Sequence, residues 1–296
     1  MARLKKPKER FPWTPFKVVL VAGLVLYAVL LFVPVIWALM TAFKEQSDFR
    51  INIIGLPKKW VWNFSFVFKK FYVTVTTESG TERVGVARLF LNSILYAGGC
   101  AITSTIVPCV TAYLCARFKY ALSKVIYGVV IIVMILPIVG NLPSEIEVAR
   151  TLGIYDQIWG LWLMKAHFLG MYFLVFYNTF KAMSMAYSEA AQLDGANNWV
   201  IMTKIILPMN KNTIFTVMLI NFITFWNDYQ TPLIYLPSYP TLAQGMYYLA
   251  NTNQNELAVL PMRMSAAILM LIPTMLLFLS FNKRLMGNLT MGGEKG

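Results

Sequence analysis

The sequence is poor in the residues from which most metal and nucleotide sites are built. Its 296 residues include one histidine, His167, and only 13% of them are charged. A single histidine excludes metal sites that need several histidines. The pattern G-x-x-x-x-G-K-[ST], whose backbone amides cradle nucleotide phosphates, is absent from the chain. We therefore predict no catalytic residue, no metal site and no cofactor, and ATP bound through such a loop has to be bound by a partner.

Cysteine is scarce and confined to one apolar run, at Cys100, Cys109 and Cys115. Helical spacing puts these three side chains on different faces, so no disulfide framework is predicted. We expect them to pack as small hydrophobic residues.

Polar stretches long enough to form a soluble domain are also lacking. Hydrophobic residues make up 58% of the chain, and its mean hydropathy is +0.59. This composition indicates an integral membrane protein with one membrane domain, at residues 18–286, between a basic tail at 1–17 and a second tail at 287–296. The net charge of +13 is then explained by loop residues that set orientation and contact anionic membrane lipid, and no nucleic acid partner is expected.

Six apolar runs predict an all-α, polytopic fold with six transmembrane helices. The first run is longer than the core of a signal peptide and predicts an uncleaved helix. Six spans put both termini on one side, and six basic residues in the N-terminal tail favour the cytoplasm. Alternating aromatic residues at positions 60–66 predict a short amphipathic strand or an interfacial segment in the polar loop 44–88. The predicted spans lie at about 18–40, 88–117, 124–145, 158–180, 214–236 and 263–283.

The longest polar break in the second half of the chain, residues 189–208, reads EAAQLDGANNWVIMTKIILP. Ser188 predicts the N-cap of a short helix. Gly195 suits the left-handed position that ends a helix, and Asn197 or Asn198 can cap a second one.

The second helix is predicted to have one apolar side, formed by Ile201, Ile205 and Ile206, and to end at Pro208. Two short helices would then meet at a glycine corner and present small residues outward. Such a shape is suited to docking a soluble partner.

This stretch resembles the EAA motif of the membrane subunits of bacterial ABC importers, with anchors at Glu189, Ala190, Ala191, Gly195, Leu207 and Pro208. The resemblance implies a type I ABC importer permease fold in the bacterial cytoplasmic membrane. It implies as partners a homologous second permease, two ATP-binding subunits that bind ATP and Mg, and an extracytoplasmic sugar-binding protein. The residues that it implies in coupling to the ATPases are Glu189, Ala190, Ala191, Leu193, Asp194, Gly195 and Ala196.

A second resemblance, to carbohydrate-importer permeases, lies in the fifth span. It is carried by Trp226, Asn227, Asp228 and Tyr229, with support from the Ala-Tyr-x-x-Ala-Arg pattern at residues 112–117. A carboxylate in a membrane span is costly and is a functional candidate by default. The four residues are therefore candidates for a substrate path, since aromatic faces and polar groups suit sugar rings. The alternative is that Asn227 and Asp228 satisfy backbone groups freed by Pro232 or bond a neighbouring helix.

The resemblance to the smaller membrane subunit of the maltose importer extends to a loop and to the C-terminal tail. It implies that the loop 237–260 contacts the sugar-binding protein, and that the tail contacts the ATPase. The alternative for the loop is a solvated connector. The implied loop residues are Gln244, Asn251, Asn253 and Gln254, and those of the tail are Gly292, Gly293 and Lys295.

Three other functions remain possible from the residues. The first is an ion-coupled secondary transporter with Asp228 as the proton or sodium site, although no inverted repeat is visible. The second is a membrane-embedded enzyme that uses Asp228, Lys165 and His167. These last two side chains could instead line a cavity, or Lys165 could extend towards the surface or pair with an acid. The third is an ABC importer permease for a solute that is not a sugar.

Overall fold

The computed structural model describes residues 14–77, 80–118, 120–136, 140–251 and 259–289, and this part of the chain is mostly helical. The helices before the central hairpin are α1 (Pro15–Ala42), α2 (Gln46–Ile51) and α3 (Asn63–Lys70). Strands β1 (Tyr72–Thr77) and β2 (Gly80–Gly85) follow. The next helices are α4 (Val86–Arg117), α5 (Ala121–Ile135), α6 (Leu142–Thr151), α7 (Ile158–Met164), α8 (Met171–Ala182) and α9 (Ala186–Leu193). The last are α10 (Asn198–Val200), a π-helix (Ile201–Ile206), α11 (Leu207–Met209), α12 (Lys211–Asn227), α13 (Gln230–Tyr235), α14 (Leu242–Asn251) and α15 (Leu260–Leu289).

Helix α1 is exposed along nearly its whole length and is hydrogen-bonded to other segments at its C-terminal end. Thr14 caps its start and Pro15 occupies its first turn, as is typical of helix N-termini. The backbone oxygen of Ala42, at its last residue, accepts hydrogen bonds from Asn63 Nδ2 at 2.9 Å and from Ser265 Oγ at 3.0 Å. These two bonds satisfy a carbonyl that the helix itself leaves without a partner.

The loop between α1 and α3 is organised around a buried lysine. The Lys44 side chain is only 1% exposed. Its Nζ donates to the backbone oxygens of Asn52, at 2.6 Å, and Ile53, at 3.3 Å. Carbonyl oxygens thus compensate part of the cost of removing the ammonium group from water.

Of the two alternatives predicted for residues 60–66, the short strand is wrong, because Phe64 and Phe66 lie on helix α3, and the interfacial segment stays a prediction. The strand forms a few residues later, and β1 pairs antiparallel with β2, with Tyr72 opposite Gly85. Here valines alternate with threonines, so that the valines face inward and are buried at positions 73, 75 and 84. The hairpin also corrects the all-α prediction.

Helix α4 is the centre of the bundle, and α5, α7, α8, α12 and α14 all pack against it. A small residue allows close packing at Gly99, where the ring of Trp162 lies directly over the backbone. Trp162 Nε1 donates to the backbone oxygen of Leu95 at 2.9 Å, which holds the ring in place.

Among the described residues, three helical segments are long and apolar enough to cross a membrane: Pro15–Ala42, Val86–Arg117 and Leu260–Ser280. A fourth crossing is possible if Asn198–Met209 and Lys211–Asn227, which are bent by 74°, form one span. Six continuous spans are therefore not found in the described part of the chain.

Two of the predicted spans are not continuous helices of full length in the structure. Helix α5 has 15 residues, fewer than the roughly 20 that a bilayer core requires. The fourth predicted span is divided into α7, of 7 residues, and α8, of 12 residues. Gly170, with φ of +126°, precedes α8 in a conformation that side chains rarely adopt.

Replacing Gly99 with alanine is expected to loosen the contact between α7 and α4. The added Cβ would lie 2.1 Å from Cε2 and Nε1 of Trp162, so the ring or the helix has to move. Overpacking of this kind costs about 1–3 kcal/mol. A lower thermal unfolding midpoint of the purified protein in detergent would show it.

Gly98 provides the matched control on the same helix, since a Cβ there meets no heavy atom within 4 Å. The Gly98→Ala protein should unfold at or above the midpoint of the original protein. Equal midpoints for the two alanine variants would contradict the packing described for Gly99.

Candidate functional site

The EAA stretch folds as two short helices around a glycine corner, as predicted. Helix α9 ends at Leu193, and Gly195 follows with φ of +82°, in the left-handed region. The side chain of Asn197 accepts a hydrogen bond from the Val200 amide at 2.9 Å, which caps the second helix. Both the glycine conformation and the asparagine cap are thus confirmed.

The predicted start of this segment is wrong. Ser188 does not cap the first helix, because α9 already begins at Ala186 and Ser188 lies buried inside it. The hydroxyl that bonds the helix start is that of Ser184, which accepts from the Ala186 amide at 3.2 Å. The helix begins at Ala186, two residues before Ser188. Ser184 and Ser188 have equal capping chemistry, so their residue type alone does not distinguish them.

The second helix, Asn198–Met209, is not wound uniformly. Residues Ile201–Ile206 form a π-helix, in which the i and i+5 positions lie above each other. Ile201 and Ile206 accordingly share one face and are 1% and 0% exposed. Pro208 lies inside the last turn, so the predicted end at the proline is wrong: the helix ends at Met209, with Asn210 as its C-cap.

The outward side of the segment is open to solvent. Leu193 is 90% exposed and Trp199 is 69% exposed, and Glu189 and Ala190 are also exposed. Ala191, in contrast, packs into the core formed by α4, α8 and the second helix. The segment therefore combines a fixed base with an exposed surface that includes two large apolar side chains. Exposed too are Asp194 and Gly195, with Ala196 partly covered.

Asn210, which sequence analysis missed, fixes the corner between the second helix and α12. Its Nδ2 donates to the backbone oxygen of Ile206 at 2.8 Å and to Met183 Sδ at 2.9 Å. Met183 follows α8, so one side chain links the segments before and after the EAA stretch. The signal in the sequence was a polar residue directly after the proline turn.

The carboxylate of Asp228 lies at a break between α12 and α13. Its Oδ1 accepts hydrogen bonds from the amides of Gln230, at 3.0 Å, and Thr231, at 3.1 Å. Its Oδ2 accepts from the Tyr96 hydroxyl of α4 at 3.0 Å. Asp228 thus satisfies the free amides of a helix start and bonds a neighbouring helix, which favours the packing interpretation over the substrate path.

The neighbours of Asp228 point in different directions. Trp226 is 2% exposed, and its Nε1 donates to the Met270 backbone oxygen at 3.1 Å, so its ring belongs to the core. Asn227 is exposed and donates to its own helix at Ile223. Tyr229 stacks on Tyr247, with ring centroids 4.8 Å apart and planes at 10°. The structure therefore does not gather the four predicted path residues around one cavity.

The loop after α13 was predicted to be polar but contains helix α14. Leu242, Gly245, Met246 and Leu249 recur at helical spacing and pack on α4 and the hairpin. Gln244 is consequently 3% exposed and cannot present its side chain to a soluble partner from this position. This burial argues against its predicted role as a binding-protein contact.

The other predicted contact residues are divided between the exposed end of α14 and undescribed residues. Asn251 is exposed, and its amide donates to Tyr247. The remaining predictions, at Asn253, Gln254, Gly292, Gly293 and Lys295, lie outside the described residues.

Lys165 and His167 fall in the break between α7 and α8. The backbone oxygen of Lys165 accepts from Ser104 Oγ of α4 at 3.1 Å, which fixes the break against the central helix. His167 is exposed, Lys165 is partly covered, and Asp228 bonds other partners. These contacts do not assemble the three residues into a catalytic group.

The chain is similar to membrane components of known transport systems. A family model described as binding-protein-dependent transport system inner membrane component matches residues 109–287, more than half of the chain. The diacetylchitobiose uptake system permease protein NgcG of Streptomyces coelicolor is 25% identical over 92% of this chain and 86% of that protein. The melibiose/raffinose/stachyose import permease protein MelC of Bacillus subtilis is 25% identical over 90% of this chain and 92% of that protein.

A solved structure shares the fold. One chain of a bacterial ABC transporter involved in the import of the acidic polysaccharide alginate superimposes with a TM-score of 0.74 at 20% sequence identity. The match covers 92% of this chain and 99% of that chain. The fold is therefore that of a type I ABC importer permease, as predicted.

Proposed function

The chain belongs to the family of binding-protein-dependent transport system inner membrane components, and on this premise we propose that it is a permease subunit of an ATP-driven sugar importer. Members of this family are transport components of the membrane and not enzymes. The proposed assembly contains a second, homologous permease, two ATP-binding subunits and an extracytoplasmic sugar-binding protein. Both termini and the EAA segment face the cytoplasm in this proposal, where the ATP-binding subunits are.

The observation that carries the proposal is the exposed surface around the Gly195 corner. Leu193 and Trp199 project from the two sides of the corner and leave most of their apolar surface uncovered. Exposed large apolar side chains beside a rigid turn are typical of protein docking sites. The ATP-binding subunit is the soluble partner that this surface fits.

The base of the segment explains how motion would reach the helix bundle. Ile201 and Ile206 are anchored in the core beside α4 and α8, and Asn210 joins the corner before α12 to Met183. A displacement of the exposed corner would therefore move α8 and α12 together. Closure of the ATP-binding subunits would switch the bundle from inward- to outward-facing, accept sugar from the binding protein and then reset.

The proposed cargo is an oligosaccharide, by similarity to relatives whose names specify diacetylchitobiose and the melibiose, raffinose and stachyose group. An ion-coupled transporter is less well supported. Both oxygens of Asp228 are already engaged by protein donors, which leaves the carboxylate poorly suited to bind a proton or sodium ion in turn. A solute other than a sugar stays the alternative within the same family.

The proposal predicts that ATP hydrolysis and sugar uptake appear only in the assembled complex. The tagged chain would be purified alone and together with the proteins of its neighbouring genes, and both samples reconstituted in proteoliposomes. We expect hydrolysis in the complex, stimulated by sugar-loaded binding protein, and none in the isolated chain, because it lacks a phosphate loop.

Uptake of radiolabelled oligosaccharides driven by an ion gradient in the absence of ATP would contradict the importer mechanism. ATP hydrolysis by the homogeneous isolated chain would contradict the assignment of this activity to the ATP-binding subunits. Uptake of a non-sugar solute alone would retain the mechanism and change the cargo.

A further inference from the structure

A cavity of about 570 Å³ lies where α4 and α8 end and α5 begins, beside the start of α9. Three cationic side chains line it: Arg117, Lys124 and Lys181. No carboxylate occurs among the described residues that line this cavity. The excess of positive charge favours an anionic occupant.

The contacts of Arg117 point to a missing acceptor. Its Nη1 donates to Met185 Sδ at 2.7 Å, and a thioether is a weak acceptor. Its Nε and Nη2 are buried and have no hydrogen-bond partner in the structure. A guanidinium group presents its donors in a planar fork that matches the oxygens of a phosphate.

The start of α5 adds a second positive feature to the same cavity. Tyr120, its N-cap residue, provides no side-chain cap, and the first turn contains no acidic residue. The partial positive charge of a helix N-terminus is stabilised by an anion. Lys124, one turn into this helix, adds a full positive charge where the helix dipole disfavours one, unless an anion lies close by.

Most of the remaining lining residues are apolar or aromatic. The polar Ser123 also lines the cavity, and its hydroxyl donates to the backbone oxygen of Phe118 at 2.8 Å. Tyr127 and Tyr177 pack with ring centroids 4.8 Å apart, and Lys181 Nζ lies 5.6 Å from the centroid of Tyr177. Phe180 and Cys115 contribute further apolar surface. A free phosphate ion would leave these surfaces uncovered, whereas a phospholipid would cover them with its glycerol and upper acyl carbons.

We propose that this cavity is a binding site for the phosphodiester headgroup of an anionic phospholipid. The phosphate accepts from the Nε and Nη2 donors of Arg117 and lies at the start of α5, near Lys124 and near Lys181 of α8. Basic pockets between membrane helices bind anionic headgroups in this way. The site goes beyond the proposed transport function and depends on neither the cargo nor the docking of the ATP-binding subunits.

A lipid bound in the cavity would also change the contacts at the start of the EAA segment. Met185 precedes α9 directly, and its sulfur shares Arg117 with the lipid phosphate. A stronger acceptor in the cavity would draw Arg117 away from Met185. The residue before α9 would then lose its hydrogen bond to Arg117. Lipid composition would thereby tune ATP hydrolysis in the complex.

The test is native mass spectrometry of the complex, purified through a tag on this chain and exchanged into detergent with phosphatidylglycerol or phosphatidylcholine. We expect retained phosphatidylglycerol on the original protein and much less phosphatidylcholine. Lys124→Gln and Lys181→Gln, both at exposed positions, should each weaken retention about fivefold, the factor that corresponds to about 1 kcal/mol for one cation near an anionic lipid. Arg117→Gln should weaken it further.

Arg150→Gln is the matched control, since Arg150 is an exposed arginine on α6, 4.8 Å over the ring of Tyr155 and outside the cavity. It should retain phosphatidylglycerol like the original protein. Equal retention of the two lipids would overturn the proposal, and so would unchanged retention in both lysine variants. Displacement of the lipid by millimolar inorganic phosphate or glycerol phosphate would assign the cavity to a soluble phosphate instead.

Discussion

Replacing Asp228 with leucine is expected to lower the yield of folded complex sharply. The change removes the acceptor of the Tyr96 hydroxyl and of two amides at the start of α13. Each buried group left without a partner costs about 1–3 kcal/mol. Tyr96 is 1% exposed, so water cannot replace the lost acceptor. Yield by fluorescence-detected size-exclusion chromatography and uptake of labelled sugar should fall together.

Two further variants separate packing from a role in the substrate path. Asp228→Asn keeps an acceptor oxygen for the amides, and its Nδ2 can donate to the Tyr96 oxygen, so most of the yield should remain. Tyr96→Phe combined with Asp228→Leu removes both partners and should recover part of the yield that Asp228→Leu loses. Full yield with lost uptake in Asp228→Leu would instead favour the substrate path. Full yield with full uptake would contradict both roles.

Replacing Gly195 with valine is expected to uncouple ATP hydrolysis from transport. Gly195 has φ of +82°, and a β-branched residue is strongly disfavoured there. The strain of about 2 kcal/mol favours a different orientation of the two short helices by roughly 30-fold. Sugar uptake per ATP hydrolysed in proteoliposomes should fall by a comparable factor, while the amount of inserted protein stays unchanged.

The space around Gly195 allows a sharp control. A Cβ at this position meets no heavy atom within 4 Å, so the cost of a side chain arises from the backbone alone. Gly195→Asn should therefore retain most of the transport, because asparagine adopts the left-handed conformation more readily than other non-glycine residues. Loss of transport that is equal in the asparagine and valine variants would point to lost contact with a partner surface rather than to backbone strain.

Features fixed by local chemistry could be predicted from the sequence. The glycine corner and the Asn197 cap each depend on one residue type in a short segment, and both occur where expected. The apolar side of the second helix was predicted with an α-helical period. The π-helix changes that period, so that Ile201 and Ile206 are fully buried while Ile205 is only partly covered.

Features fixed by distant contacts could not be predicted. Tyr96 and Asp228 are 132 residues apart in the chain, and no local pattern pairs them. Average hydropathy also concealed the break between α7 and α8, although Lys165 and His167 were a visible sign of it. The burial of Gln244 was missed because a run of polar residues further along the loop dominated the interpretation of the whole segment.

The two hydrogen bonds at the end of α1 have a consequence for biosynthesis. The Ala42 oxygen bonds Asn63, which is made soon afterwards, and Ser265, which follows 223 residues later. At a translation rate of about 5–20 residues per second, the second donor emerges roughly 10–45 s after the first helix is made. Until then, the end of the first helix has only one of these two hydrogen bonds and lacks its packing against α15. The bundle closes on this side only when the last helix arrives.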